Sequence, residues 1–128
     1  MRLDHVGIAT PDADGLADRY GALVDATIVH EERFDGLWVV FLDAGAVELE
    51  LLEPTGDDGT VAQFLDRRGP GLHHLAFATE DVAAALAAAA EQGIERVDES
   101  PRPGARGHDV AFLHPSSTGG VLLELVER

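Results

Sequence analysis

An α+β fold of paired βαβββ modules is what this sequence predicts, on three observations. Leu3-Asp4-His5-Val6-Gly7-Ile8-Ala9-Thr10 is echoed by Leu72-His73-His74-Leu75-Ala76-Phe77-Ala78-Thr79. Val47-Glu48-Leu49-Glu50-Leu51-Leu52-Glu53 is echoed by Val121-Leu122-Leu123-Glu124-Leu125-Val126-Glu127. Each first motif alternates with the period of a strand and runs into a helix start signal. A duplicated unit with one His and one Glu per copy suggests pseudo-twofold symmetry, which can bring two imidazoles and two carboxylates to one point as a metal site.

The first strand, about residues 3 to 9, places Val6 and Ile8 on one face and His5 with Gly7 and Ala9 on the other. In the second copy His74, Ala76 and Ala78 share a face, with Leu75 and Phe77 behind. Small residues beside a polar side chain favour an open pocket over a packed layer. Thr10-Pro11-Asp12 supplies an N-cap and a preorganised first turn, and Leu16, Tyr20 and Leu23 recur at helical spacing. Thr79-Glu80-Asp81 repeats the cap, with Val82, Leu86 and Ala89 as the buried stripe and Gly93 as the stop. Strands are expected at about 26 to 33, 37 to 43 and 46 to 53, split by Asp35-Gly36 and Ala44-Gly45, and again at about 94 to 98, 107 to 114 and 120 to 127. A short helix over about 60 to 68, ending at Gly69, joins the copies. One domain over residues 1–128 follows, with module 1 at about 1–54 and module 2 at about 71–128.

Composition narrows the functions. With no cysteine, a metal must rest on nitrogen and oxygen ligands. Asp and Glu number 24 against nine arginines and no lysine, a formal charge of −15. Nucleic-acid binding is therefore disfavoured, because it needs a basic face. So acidic a chain repels itself at low salt and fits the composition of a salt-in halophile, or else of an ordinary acidic cytosolic protein. The N-terminus enters a strand pattern with no basic, apolar leader, and no apolar run reaches the length of a membrane span. A soluble, cytoplasmic protein without a membrane partner is the expectation.

Glu50 and Glu124 lie in the middle of apolar strands, where a buried carboxylate is costly unless paired or bound to a cation. Any one of these residues alone reads as the polar half of a two-sided strand. Four coincident positions in a duplicated frame read as a site.

The chain resembles the vicinal oxygen chelate superfamily and, within it, the methylmalonyl-CoA epimerases. The residues carrying the resemblance are Asp4-His5-Val6-Gly7-Ile8-Ala9, Glu50-Leu51-Leu52-Glu53-Pro54, Gly71-Leu72-His73-His74-Leu75-Ala76-Phe77, Pro101-Arg102-Pro103-Gly104-Ala105 and Ala111-Phe112-Leu113-His114-Pro115, continuing to Gly119-Gly120-Val121-Leu122-Leu123-Glu124-Leu125. It implies sheets curled around one divalent metal held by His5, Glu50, His74 and Glu124, with His74 chosen over His73 by register with His5. Such an N2O2 set suits Co2+ or Mn2+ first, and Ni2+ or Zn2+ as alternatives. The resemblance also implies an acyl-CoA substrate, α-proton abstraction with enolate stabilisation, and a homodimer.

That reaction needs a base. The resemblance places a glutamate two residues before Gly36, where this chain has Phe34. Asp35 and Glu48 are the leading candidates in its stead, with Glu32 nearby. Arg102 and Arg106, flanked by Gly104 and Gly107, are candidates for the CoA phosphates. A glyoxalase I-like isomerase, an extradiol dioxygenase and a non-enzymatic binding module of the same fold are the rival readings. The missing aligned base favours the last and the retained ligand positions disfavour it. Repulsion between a −15 chain and a nucleotide is screened by salt, so kcat/KM toward an acyl-CoA is expected to rise with ionic strength. A flat or falling salt profile in steady-state assays counts against this.

Overall fold

The computed structural model describes residues 1–128. Residues 5–73 form one compact unit, and residues 1–4 with 74–128 form the other. In the first unit the sheet order is β2 (Thr27–Phe34), β3 (Leu37–Asp43), β4 (Glu48–Pro54), β1 (Arg2–Ala9). In the second it is β5 (Gly71–Thr79), β8 (Leu123–Glu127), β7 (Asp109–Leu113), β6 (Arg102–Pro103). The pairing rule is the same in both. The first strand runs parallel to the last, β1 with β4 and β5 with β8, and the remaining pairs are antiparallel.

Each parallel pair needs a crossover, and a helix provides it. In the first unit α1 (Ala13–Val24) covers one face of the sheet, packing against a core of Ile8, Val40, Leu42 and Leu51. In the second, α3 (Val82–Glu91) lays Val82, Leu86 and Ala89 on Ala111, Leu113 and Leu125. The expected stripe of α3 is buried throughout. That of α1 holds for Leu16 and Tyr20, but Leu23, in the last turn, is 71% exposed. α2 (Thr60–Arg68) occupies the expected connection and ends at Gly69, whose φ of 74° lies in the left-handed region.

The helix starts are copies in atomic detail. Asp12 and Asp81 are N-caps, each accepting a backbone N–H three residues on, from Gly15 and Ala84 at 3.0 Å. The first donor of each helix is met from the end of the last strand: Glu53 Oε1 accepts from the Ala13 N–H at 2.8 Å, and Glu127 Oε1 from the Val82 N–H at 3.0 Å. A carboxylate there also faces the positive end of the helix dipole. β4 is thereby tied to α1, and β8 to α3, three residues beyond Glu50 and Glu124.

Turn chemistry explains the hairpin between β2 and β3. Phe34 pairs with Leu37, so Asp35 and Gly36 alone make the turn, with φ of 50° and 75° as a type I′ turn requires. A departure from simple alternation lies further along β2. Ile28 pairs with Leu42, yet His30 pairs with Phe41, so Val29 is an extra, bulged residue.

The second unit departs from expectation at one place. No strand forms over 94 to 98. Only Arg96 makes an isolated bridge, to Leu113, and the partner of β7 is the two-residue β6. The reason is local: the Asp98 side chain takes the Phe112 N–H at 2.8 Å in place of a ladder bond. Gly104 closes this loop against β7, where a Cβ would meet Val110 Cγ1 at 2.6 Å. The buried Asp4 carboxylate is answered by Arg2 at 3.3 Å and Arg128 at 3.4 Å. No helix is long and apolar enough to cross a membrane.

Because the strand-to-helix ties are equivalent, Glu53→Ala and Glu127→Ala are each expected to cost about 1–2 kcal/mol, read from urea denaturation midpoints at constant slope.

Candidate functional site

The face of each sheet opposite its helix carries the polar residues. In the first unit β1 and β4 run in register with Gly7 beside Glu50. Two residues back from Gly7, His5 lies on the same face, and its Nε2 is 3.4 Å from Glu50 Oε1. The second unit repeats this arrangement. Ala76 is beside Glu124, and His74, two residues back, has its Nε2 3.6 Å from Glu124 Oε2. All four side chains are buried, none more than 7% exposed as a residue. Gly7 and Ala76 are the small residues beside the two carboxylates, and Ala76 packs with Ala78, Val110 and Val126.

These separations have a chemical meaning. They exceed the usual 2.7–3.2 Å of an N–H···O hydrogen bond. Two donors each about 2.1 Å from one ion lie roughly 3.0 Å apart at an octahedral right angle and about 3.4 Å apart at the tetrahedral angle. Each His–Glu pair is therefore spaced as two ligands of a common cation are spaced. Imidazole and carboxylate are also the donor types that hold first-row divalent ions.

Two aromatic residues complete the site. Phe41 pairs with Glu50 across β3 and β4, and meets the His5 ring edge-on, with centroids 5.7 Å apart and planes at 81°. Phe112 pairs with Glu124 and meets His74 at 5.6 Å and 83°. A T-shaped contact fixes the plane of an imidazole without using either nitrogen. The signal was in the repeat: Val39-Val40-Phe41-Leu42 is matched by Val110-Ala111-Phe112-Leu113.

The remaining candidates separate. His73 turns to the opposite side from His74 and packs on Phe64 of α2, with centroids 5.0 Å apart. Glu48 shares the Glu50 face, is partly buried and lies beside His5 in register. Asp35 is not brought to this site. It is exposed at the hairpin tip, more than four residues of β3, roughly 13 Å, from Phe41. Phe34 flanks the same turn. Arg102 is held by Asp98 Oδ1 at 3.1 Å and lies over the Phe112 ring at 5.3 Å. Arg106 occupies a left-handed position, φ 61°, in the 3-10 turn Ala105–Gly107.

Beyond Phe41, on β2, is a further polar pair. His30 Nε2 is 3.0 Å from Glu32 Oε1, and the His30 ring lies 6.0 Å from that of Phe41. Sequence alternation alone did not mark His30 because the bulge at Val29 decides which face it takes.

Residues 4–112 match the model of the Glyoxalase/Bleomycin resistance protein/Dioxygenase superfamily, and the chain belongs to that superfamily. The α+β architecture of paired modules expected from the repeat is that of its solved relatives. The chain is 38% identical to the mitochondrial methylmalonyl-CoA epimerase of Homo sapiens over 97% of its own length and 72% of that protein. It is 39% identical to the uncharacterized protein YqjC of Bacillus subtilis over 98% of its own length and 91% of that protein. A solved methylmalonyl-CoA epimerase in complex with methylmalonyl-CoA and NH4+ matches with a TM-score of 0.91 and 39% identity, covering 98% of this chain and 92% of that one.

Proposed function

We propose that the protein is a metal-dependent epimerase of methylmalonyl-CoA. The observation that carries the reading is the twice-built, buried His–Glu pair at ligand spacing, in a chain whose near-full-length relatives include methylmalonyl-CoA epimerases. The residues fit a divalent ion. A buried carboxylate is costly without an opposite charge, and on this reading His5, Glu50, His74 and Glu124 are the two nitrogen and two oxygen donors. Nitrogen and oxygen donors of this kind would suit Co2+ or Mn2+ first, then Ni2+ or Zn2+.

When bound, such an ion supplies Lewis-acid stabilisation of the charge that develops on the thioester oxygen as the α-proton leaves. The rest is done by the chain. Phe41 and Phe112 fix the imidazole planes, and Gly7 and Ala76 stand beside the carboxylates in register. Return of a proton to the opposite face inverts the centre, with no net redox change. Arg102 and Arg106 are the candidates for the CoA phosphates, Arg102 lying against Asp98 and Phe112 and Arg106 in the glycine-flanked turn Ala105–Gly107. A glyoxalase I-like isomerase, acting on a glutathione hemithioacetal, is disfavoured because near-full-length relatives are methylmalonyl-CoA epimerases. The expected setting is cytoplasmic, at high salt and as a homodimer.

Metal-replete protein incubated with methylmalonyl-CoA in D2O at high salt is expected to incorporate α-deuterium, followed by NMR. Glu124→Ala should lose both the bound ion and the exchange, whereas His73→Ala should keep both, because His73 faces Phe64. Full exchange by protein stripped of metal overturns the reading.

A further inference from the structure

We propose that His30 is the base that removes the substrate α-proton and that Glu32 holds it in the productive tautomer; the proposal rests on the epimerase reading above. Neither side chain belongs to the ligand set. Their placement comes from the bulge at Val29. Upstream of it, Ile28 pairs with Leu42, a residue of the helix-side core; downstream, His30 pairs with Phe41 and Glu32 with Val39. One extra residue thus turns His30 and Glu32 onto the face that carries His5 and Glu50.

A row then crosses the sheet: His30 on β2, Phe41 on β3, Glu50 on β4 and Gly7 on β1. Phe41, 1% exposed, is the floor of this row, with the His5 ring at 5.7 Å and the His30 ring at 6.0 Å. Two strand spacings, about 10 Å, separate the backbones of His30 and Glu50, so the imidazole stands on one side of Phe41 and the ligand pair on the other.

The dyad has the chemistry a base needs. A carboxylate can only accept, so Glu32 at 3.0 Å selects the Nε2–H form of the neutral ring and leaves the lone pair on Nδ1. The side chains are 35% and 26% exposed, accessible to a ligand but not fully solvated. In the step itself the α C–H bond breaks and an Nδ1–H bond forms. The electron pair moves to the thioester oxygen as the enolate, and Glu32 faces the imidazolium that results. The pair also answers the departure at Phe34: a base is supplied from the same strand, two and four residues earlier.

The test uses metal-replete protein and methylmalonyl-CoA in D2O. H30Q and H30N are expected to slow α-deuteration at least about 100-fold, with metal content and methylmalonyl-CoA binding by calorimetry within about threefold of wild type. Glu32 is a positioning residue. E32Q should lower kcat about tenfold with KM unchanged, E32D should recover part of the loss, and 15N NMR should show His30 losing its Nε2–H tautomer in E32Q. Exchange by the His30 variants within about threefold of wild type overturns the proposal, as does an E32Q protein whose kcat and His30 tautomer are unmoved. Wild-type protein that binds its ion yet exchanges no α-proton removes the epimerase reading and the dyad's role with it, an outcome visible before any variant is made.

Discussion

A carboxylate buried against an imidazole at the middle of an apolar sheet is the constraint on which the rest depends. Glu50 and Glu124 are each set among leucines and valines, where an ionised group is tolerated only opposite positive charge. His5 and His74 stand 3.4 and 3.6 Å away, too far for a good hydrogen bond and near the separation of two ligands on one ion. Much of the surrounding architecture serves to hold those atoms still. The parallel pairs β1–β4 and β5–β8 fix the register, Phe41 and Phe112 fix the rings, and α1 and α3 cover the other side with aliphatic packing.

The capping carboxylates extend that rigidity into the helices. Glu53 and Glu127 follow the buried glutamates by three residues and therefore leave the strands near their ends, where each reaches a helix N-terminus. One short acidic strand thus does two jobs: its middle carboxylate faces the site and its last one seats the crossover helix. In a chain of charge −15, these acids are structural and should not be counted with the solvated surface.

Much of the fold was legible because it is duplicated. Periodicity, caps and turn pairs each pointed the same way in both copies, so Thr10 to Asp12 supported Thr79 to Asp81, and the register of His5 resolved the ambiguity between His73 and His74. Legibility failed where the copies differ or where backbone geometry intervenes. The strand expected over 94 to 98 gives way to a loop because a side chain, Asp98, substitutes for a ladder bond. Leu23 fits a helical stripe on paper but falls in the last turn of α1, exposed. Asp35 looked near the site in sequence, yet a tight turn carries it to the hairpin tip. The bulge at Val29 has no compositional signature, and without it His30 would read as facing α1.

The twin halves agree at their centres and diverge at their rims. Over Phe41 stands His30 with Glu32; over Phe112 stands Arg102 with Asp98. Such a layout lets a duplicated gene keep its inner strands unchanged while the outer pieces drift toward different tasks. A single inserted codon in an edge strand, leaving the inner ladder untouched, is enough to swap which side chains look inward. Chemical novelty in this architecture can therefore arise by a shift in reading depth along one border, with no new residue type required.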